Sequence, residues 1–128
     1  MENKSDKNTR ILMVEDDELN IKMVAAFLNS KYKLEAARSG EDALKKLLDN
    51  NYDIILMDIG LKHVMNGLDV TKRLRKMPNY KNTPVIALTA YALSGDRERI
   101  LNAGCSHYLT KPFAKKQLTD LLESILKK

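Results

Sequence analysis

With 128 residues, 44% hydrophobic and 30% charged, the chain suits one globular domain around one core. No apolar stretch is long enough to cross a bilayer, the polar opening Met1 to Arg10 has no apolar signal region, and the lone Cys105 excludes an intrachain disulfide, so a cytoplasmic setting is expected. The +5 net charge comes from scattered lysines, with only 5% aromatic residues and no Trp, which favours solvated helical faces over a nucleic-acid surface.

Residues 1–9 are expected to be a frayed tail and 10–128 the domain. Short apolar runs then alternate with amphipathic segments, the pattern of a parallel sheet covered by helices on both faces. The first strand spans about Arg10 to Val14. The first helix spans Leu19 to Asn29, with Leu19, Met23, Ala26 and Phe27 at helical spacing. Leu34 to Ala37 is the second strand. Ser39 caps a second helix that carries acids in its first turn and turns Ala43, Leu44, Leu47 and Leu48 inward. Asp53 to Met57 is the most apolar run and suits a central strand.

Asn66-Gly67 leads into a third helix through Lys76, with Pro78 just beyond. Thr83-Pro84 introduces the fourth strand. Leu93 to Ala103 reads as a polar, arginine-rich helix with few core contacts, closed by Gly104. Ser106 to Thr110 is the last strand, and Ala114 to Leu126 the last helix, with Leu118, Leu121, Leu122 and Ile125 as its inward stripe.

Polar signatures follow four of the apolar runs: Glu15-Asp16-Asp17, Asp58, Thr89-Ala90 and Lys111-Pro112. In a parallel sheet all four emerge at one edge, where open α/β sheets place their sites. Four neighbouring strand ends span about 14 Å, within reach of long side chains. Glu15, Asp16 and Asp58 brought together repel unless a cation offsets them. A site of few, hard oxygen ligands matches Mg²⁺, which accepts phosphate as a further ligand. Taken singly, each signature has a plainer reading: acids after a strand cap the next helix, Thr is a strand former, and Lys is surface. Pro112 restrains Lys111 and is compatible with a cis bond.

Ile-Leu-Met-Val-Glu-Asp-Asp, Ile-Ile-Leu-Met-Asp-Ile, Asn-Gly-Leu, Pro-Val-Ile-Ala-Leu-Thr-Ala and Ala-Gly-Cys-Ser-His-Tyr-Leu-Thr-Lys-Pro-Phe occur in this order. Together they resemble the receiver domain of two-component response regulators, from about Arg10 to Leu126. The resemblance implies a flavodoxin-like, doubly wound sheet of five parallel strands in the order 2-1-3-4-5 with five helices. It implies that Asp58 accepts a phosphoryl group. Asp16 would be a Mg²⁺ ligand, Glu15 would act partly through water, and the backbone carbonyl of Gly60 would complete the protein's share. Lys111 and Thr89 would hold phosphoryl oxygens, and Tyr108 would change rotamer as Thr89 moves. A plainer role for Tyr108 is packing on an edge strand. The loop from Ile59 to Met65 has no Pro, and Asn66-Gly67 arrives about one residue late, which departs from the family pattern.

The implied partners are a histidine kinase or histidine phosphotransfer protein and an unknown downstream protein, engaged through the face of the fourth helix, last strand and last helix. A phosphorylation-dependent homodimer is also compatible, whereas nucleic acid and membrane are not expected. Three alternatives are open: the receiver module of a hybrid histidine kinase, a degenerate receiver acting as a scaffold, and a haloacid-dehalogenase-type phosphatase. The last wants a second Asp two residues after the nucleophile, where this chain has Gly60, so no turnover of external substrates is expected. His63 reads as a solvated loop residue and His107 as structural.

Overall fold

The computed structural model describes residues 8–61, 65–90 and 94–127. Within them five strands, β1 (Arg10–Val14), β2 (Lys33–Ala37), β3 (Ile54–Asp58), β4 (Val85–Thr89) and β5 (His107–Thr110), alternate with five α-helices. The helices are α1 (Glu18–Leu28), α2 (Gly40–Asp49), α3 (Gly67–Leu74), α4 (Ser94–Ala103) and α5 (Lys115–Leu126). A short 3-10 turn spans Pro78–Tyr80. All strand pairs are parallel and the order is β2-β1-β3-β4-β5, as the resemblance implies.

Side chains alternate between the two faces of a strand, so each central strand feeds two cores. Leu12, Val14, Ile55, Met57, Val85 and Ala87 pack on one side with residues of α2, α3 and α4. Ile11, Met13, Ile54, Leu56, Ile86 and Leu88 pack on the other with α1 and α5. Every residue of β3 is buried, and truncating a leucine such as Leu56 there would cost about 2–5 kcal/mol.

Local chemistry starts and stops the helices where polar caps satisfy otherwise orphaned backbone groups. Asp17 accepts the N–H of Leu19, Ser39 accepts that of Asp42, and Asn66 and Asp69 form a reciprocal capping box. Asn29 closes α1 in the left-handed region, and Gly104, at φ +116, follows α4. Gly104 also lies against Arg75, whose Nε donates to its carbonyl at 2.9 Å.

Four expectations are corrected. Leu19 and Leu48 are each 74% exposed, not inward. Leu19 lies in the first turn of α1, and the deeply buried residues of that helix are Val24 and Leu28. Leu48 sits about 100° around the helix from Leu47, which occupies the core face. Asp58 ends β3 and pairs with Leu88 instead of standing beyond the strand. Thr9, placed in the tail, is 1% exposed, and its carbonyl accepts the N–H of Lys33 at 2.9 Å, so the packed chain includes it. The first turn expected at Leu93, and His63, lie outside the described residues. His107 begins β5 and its Nδ1 is 2.8 Å from the Ser106 hydroxyl, which fits a structural role.

Candidate functional site

The parallel sheet brings the C-terminal ends of β1, β3, β4 and β5 to one edge. There an open cleft of about 570 Å³ is lined by Glu15, Asp16 and Asp17 beyond β1, Asp58, Ile59 and Gly60 at β3, Thr89 and Ala90 at β4, and Lys111 beyond β5. Asn20 of α1 and Asp96 and Arg99 of α4 complete the wall.

The backbone ladder runs past the strand ends and aims these groups. Glu15 N–H donates to the Ala37 carbonyl at 2.9 Å, Ile59 N–H to Leu88 at 3.0 Å, and Lys111 N–H to Thr89 at 2.7 Å. The Lys111–Pro112 bond is cis. Lys111 Nζ lies 3.1 Å from Asp58 Oδ1 and 3.4 Å from Glu15 Oε1. The N–H of Gly60 donates to the same Asp58 oxygen at 3.0 Å. Asp17 N–H donates to Glu15 Oε2 at 3.2 Å, and Asn20 Nδ2 reaches Glu15 Oε1 at 3.5 Å. Gly67 approaches the backbone of Asp58 so closely that a Cβ there would overlap the Asp58 carbonyl.

Electrostatics follow from burial. Glu15 is 1% exposed and Asp58 5%. Burial pushes the Glu15 carboxyl up to about 7, the neighbouring Asp58 carboxylate adds to the rise, and Lys111 and the Asp17 N–H oppose it. Burial on its own would lower the Lys111 ammonium, but its bonds to Asp58 and Glu15 more than offset this and leave it above the ordinary lysine value.

One ligand oxygen each from Glu15, Asp16 and Asp58 lies within 4.8 Å of the others. Three hard carboxylate donors at this spacing fit a divalent cation of the Mg²⁺ kind, which needs few protein ligands and keeps waters. The acid run after β1 divides its labour: Asp17 caps α1, while Glu15 and Asp16 turn to the cluster.

Glu15, Asp16, Asp58, Gly60, Thr89 and Lys111 thus share one cleft. Tyr108 does not line it; it is half-buried against the α2–α4 core, with Arg97 Cζ 5.5 Å from its ring centroid. Sequence reasoning missed Asn20, Asp96 and Arg99. Asn20 carried a signal, standing in the first turn of the helix behind the acid run; Asp96 and Arg99 enter the cleft only through the placement of α4.

Comparison with known proteins agrees with this geometry. The model of the response regulator receiver domain matches residues 11–123. The polar-differentiation response regulator DivK of Brucella ovis is 40% identical over 117 residues, spanning 91% of this chain and 94% of that protein. The chemotaxis protein CheY4 of Vibrio cholerae superposes with a TM-score of 0.87 at 29% identity, over 93% of this chain and 99% of that one. The receiver domain of the sensor histidine kinase PA1611 of Pseudomonas aeruginosa PAO1, solved with a magnesium ion coordinated in its active-site cleft, gives 0.86 at 38% identity over 94% and 99%. This chain belongs to the response regulator receiver domain family, the signalling modules of two-component systems.

Proposed function

We propose that the chain is a phosphorylation-dependent switch of a cytoplasmic phosphorelay, with Asp58 as phosphoacceptor. The observation that carries this reading is the buried Asp58 carboxylate, held at Oδ1 by Lys111 at 3.1 Å and by the Gly60 N–H at 3.0 Å, beside two further acids. Oδ2 is assigned the attack on phosphorus. The new P–O bond forms as the donor's P–N bond breaks, for a phosphohistidine kinase or phosphotransfer protein, or its P–O bond, for a small acyl phosphate. The leaving group takes the electron pair.

Glu15, Asp16 and Asp58, with the Gly60 carbonyl, would hold Mg²⁺, whose charge offsets the gathered acids and the phosphoryl oxygens. Lys111 pairs with one phosphoryl oxygen. Thr89, 6% exposed at the end of β4, donates its hydroxyl to another by moving toward Asp58. Space behind Thr89 then opens to the ring of Tyr108, one strand away in register with Ala87. A phosphoryl group adds close to −2 of charge and need only bias two existing arrangements by about 1–3 kcal/mol. Output is through protein contacts on the α4–β5–α5 face, where Leu101 is 50% exposed.

The test is incubation with acetyl phosphate and Mg²⁺. The protein should gain the mass of one phosphoryl group, and Asp58→Ala or chelation should abolish the gain. Absence of labelling in the wild type, or equal labelling of Asp58→Ala, refutes this reading. A second reading, a receiver module within a hybrid histidine kinase, is favoured by the 38% identity to the receiver of a sensor kinase; the chemistry at Asp58 is the same in both.

A further inference from the structure

Lys111 is engaged by both Asp58 and Glu15. The second cation in the described wall of the cleft is Arg99 of α4. Its Nη2 is 3.5 Å from Oδ1 of Asp96, one turn earlier, with the two side chains 64% and 28% exposed. An ion pair this long and this exposed contributes little and exchanges readily for a better acceptor. Asp96 therefore tethers Arg99 in the cleft wall without holding it tightly.

A small phosphodonor that reaches Asp58 must enter this cleft. It is itself an anion, and among the described residues it meets five carboxylates, those of Glu15, Asp16, Asp17, Asp58 and Asp96, against the charges of Arg99 and Lys111. Even a bound divalent cation would leave these described residues short of positive charge. A guanidinium presents a planar fork of donors matched to phosphate oxygens and bears its charge at every accessible pH. Its exposure leaves it free to swing, and its place in the wall keeps it within the cleft that a donor must cross.

We propose, on the basis of the phosphoacceptor reading above, that Arg99 is the donor-capture residue of the cleft. It exchanges its contact with Asp96 for the phosphoryl oxygens of an incoming small acyl phosphate, and so sets how efficiently the chain is labelled by doubly charged donors. Arg99 acts before the transfer; Lys111 remains the cation on the Asp58 oxygen during it. No bond other than that of the transfer proposed above forms or breaks.

The test measures the initial labelling rate of the full chain, with saturating Mg²⁺, against the concentration of two donors. Acetyl phosphate is doubly negative at neutral pH and phosphoramidate carries about one charge fewer. Arg99→Ala should lower the slope about tenfold with acetyl phosphate and less than about threefold with phosphoramidate, because the lost attraction scales with donor charge. Arg99→Lys should recover much of the loss, and added salt should narrow the gap between wild type and Arg99→Ala. Decay of the label after donor removal should be unchanged in both variants.

An unchanged slope, an equal loss with both donors, or an altered decay overturns the role of Arg99. Equal loss would mean that the substitution disturbs the cleft as a whole. If the wild type takes no phosphoryl group at all, the phosphoacceptor reading fails instead, so the two failures are separable.

Discussion

The ammonium of Lys111 stands 3.1 Å from Oδ1 of Asp58 although 53 positions separate the two residues. Neither charge is well solvated: their side chains are 25% and 7% exposed. Each therefore depends on the other to offset the cost of leaving water. Lys111→Ala should destabilise the metal-free fold at neutral pH by about 1–2 kcal/mol, because it leaves Asp58 and Glu15 without their cation. Added Mg²⁺ should recover most of that loss. Urea unfolding with and without the cation measures both, and an identical loss in the two conditions would separate Lys111 from the acid cluster.

Glu15 gives a pH dependence of definite sign. Its carboxyl titrates near 7 in the folded chain, against an ordinary 4.5. Between those values the folded protein holds a proton that the unfolded chain has released, so the contribution of Glu15 to stability is intact below the lower value and is lost as pH rises through the window. Mg²⁺ favours the ionised form and should stabilise more at about pH 8 than at about pH 5. Thermal unfolding across this range, in EDTA and in Mg²⁺, should show the increment growing with pH; a constant increment would contradict the assignment of Glu15 to the metal site.

Asp58→Asn removes the charge that, after burial, does most to raise Glu15. The titration midpoint of Glu15 should fall toward its ordinary range, as followed by carbon NMR of the labelled carboxyl. The same variant should take no phosphoryl group. A midpoint left at its wild-type value would show that the two carboxylates do not sense each other.

Two glycines beside Asp58 should respond differently to a methyl group. At Gly67 a Cβ would collide with the Asp58 backbone, whereas at Gly60 the nearest heavy atom is Asp58 Oδ1 at 3.7 Å. Gly67→Ala should cost about 1–3 kcal/mol by overpacking and slow the labelling of Asp58. Gly60→Ala should stay within about 0.5 kcal/mol of wild type. Chemical denaturation compares them, and equal stability of the two variants would refute the close approach at Gly67.

Much of this arrangement was legible in the residues. The alternation of apolar runs gave the β/α rhythm, the polar residues behind the runs marked the sheet edge, and Ser39 marked a helix start. Strand order came from the resemblance and not from any pattern along the chain. Periodicity failed at Leu19 and Leu48, because a helical stripe says which residues share a face and not whether core lies beneath them. It also could not place Arg99: on a helix as polar as α4, the position of a residue in the cleft depends on how the helix docks. Asp17 illustrates the opposite case, in which an acid run divides: Asp17 caps α1, while Glu15 and Asp16 face the acid cluster with Asp58.

The contact between Glu15 and Lys111 joins residues 96 positions apart. A ribosome must finish β5 before the ammonium can arrive, so until then Glu15 and Asp58 lack the side-chain cation that faces them in the folded domain. Pairing of these acids with their cation is thereby tied to synthesis past β5: the first and the last strand ends of the cleft meet, or the counter-charge is missing.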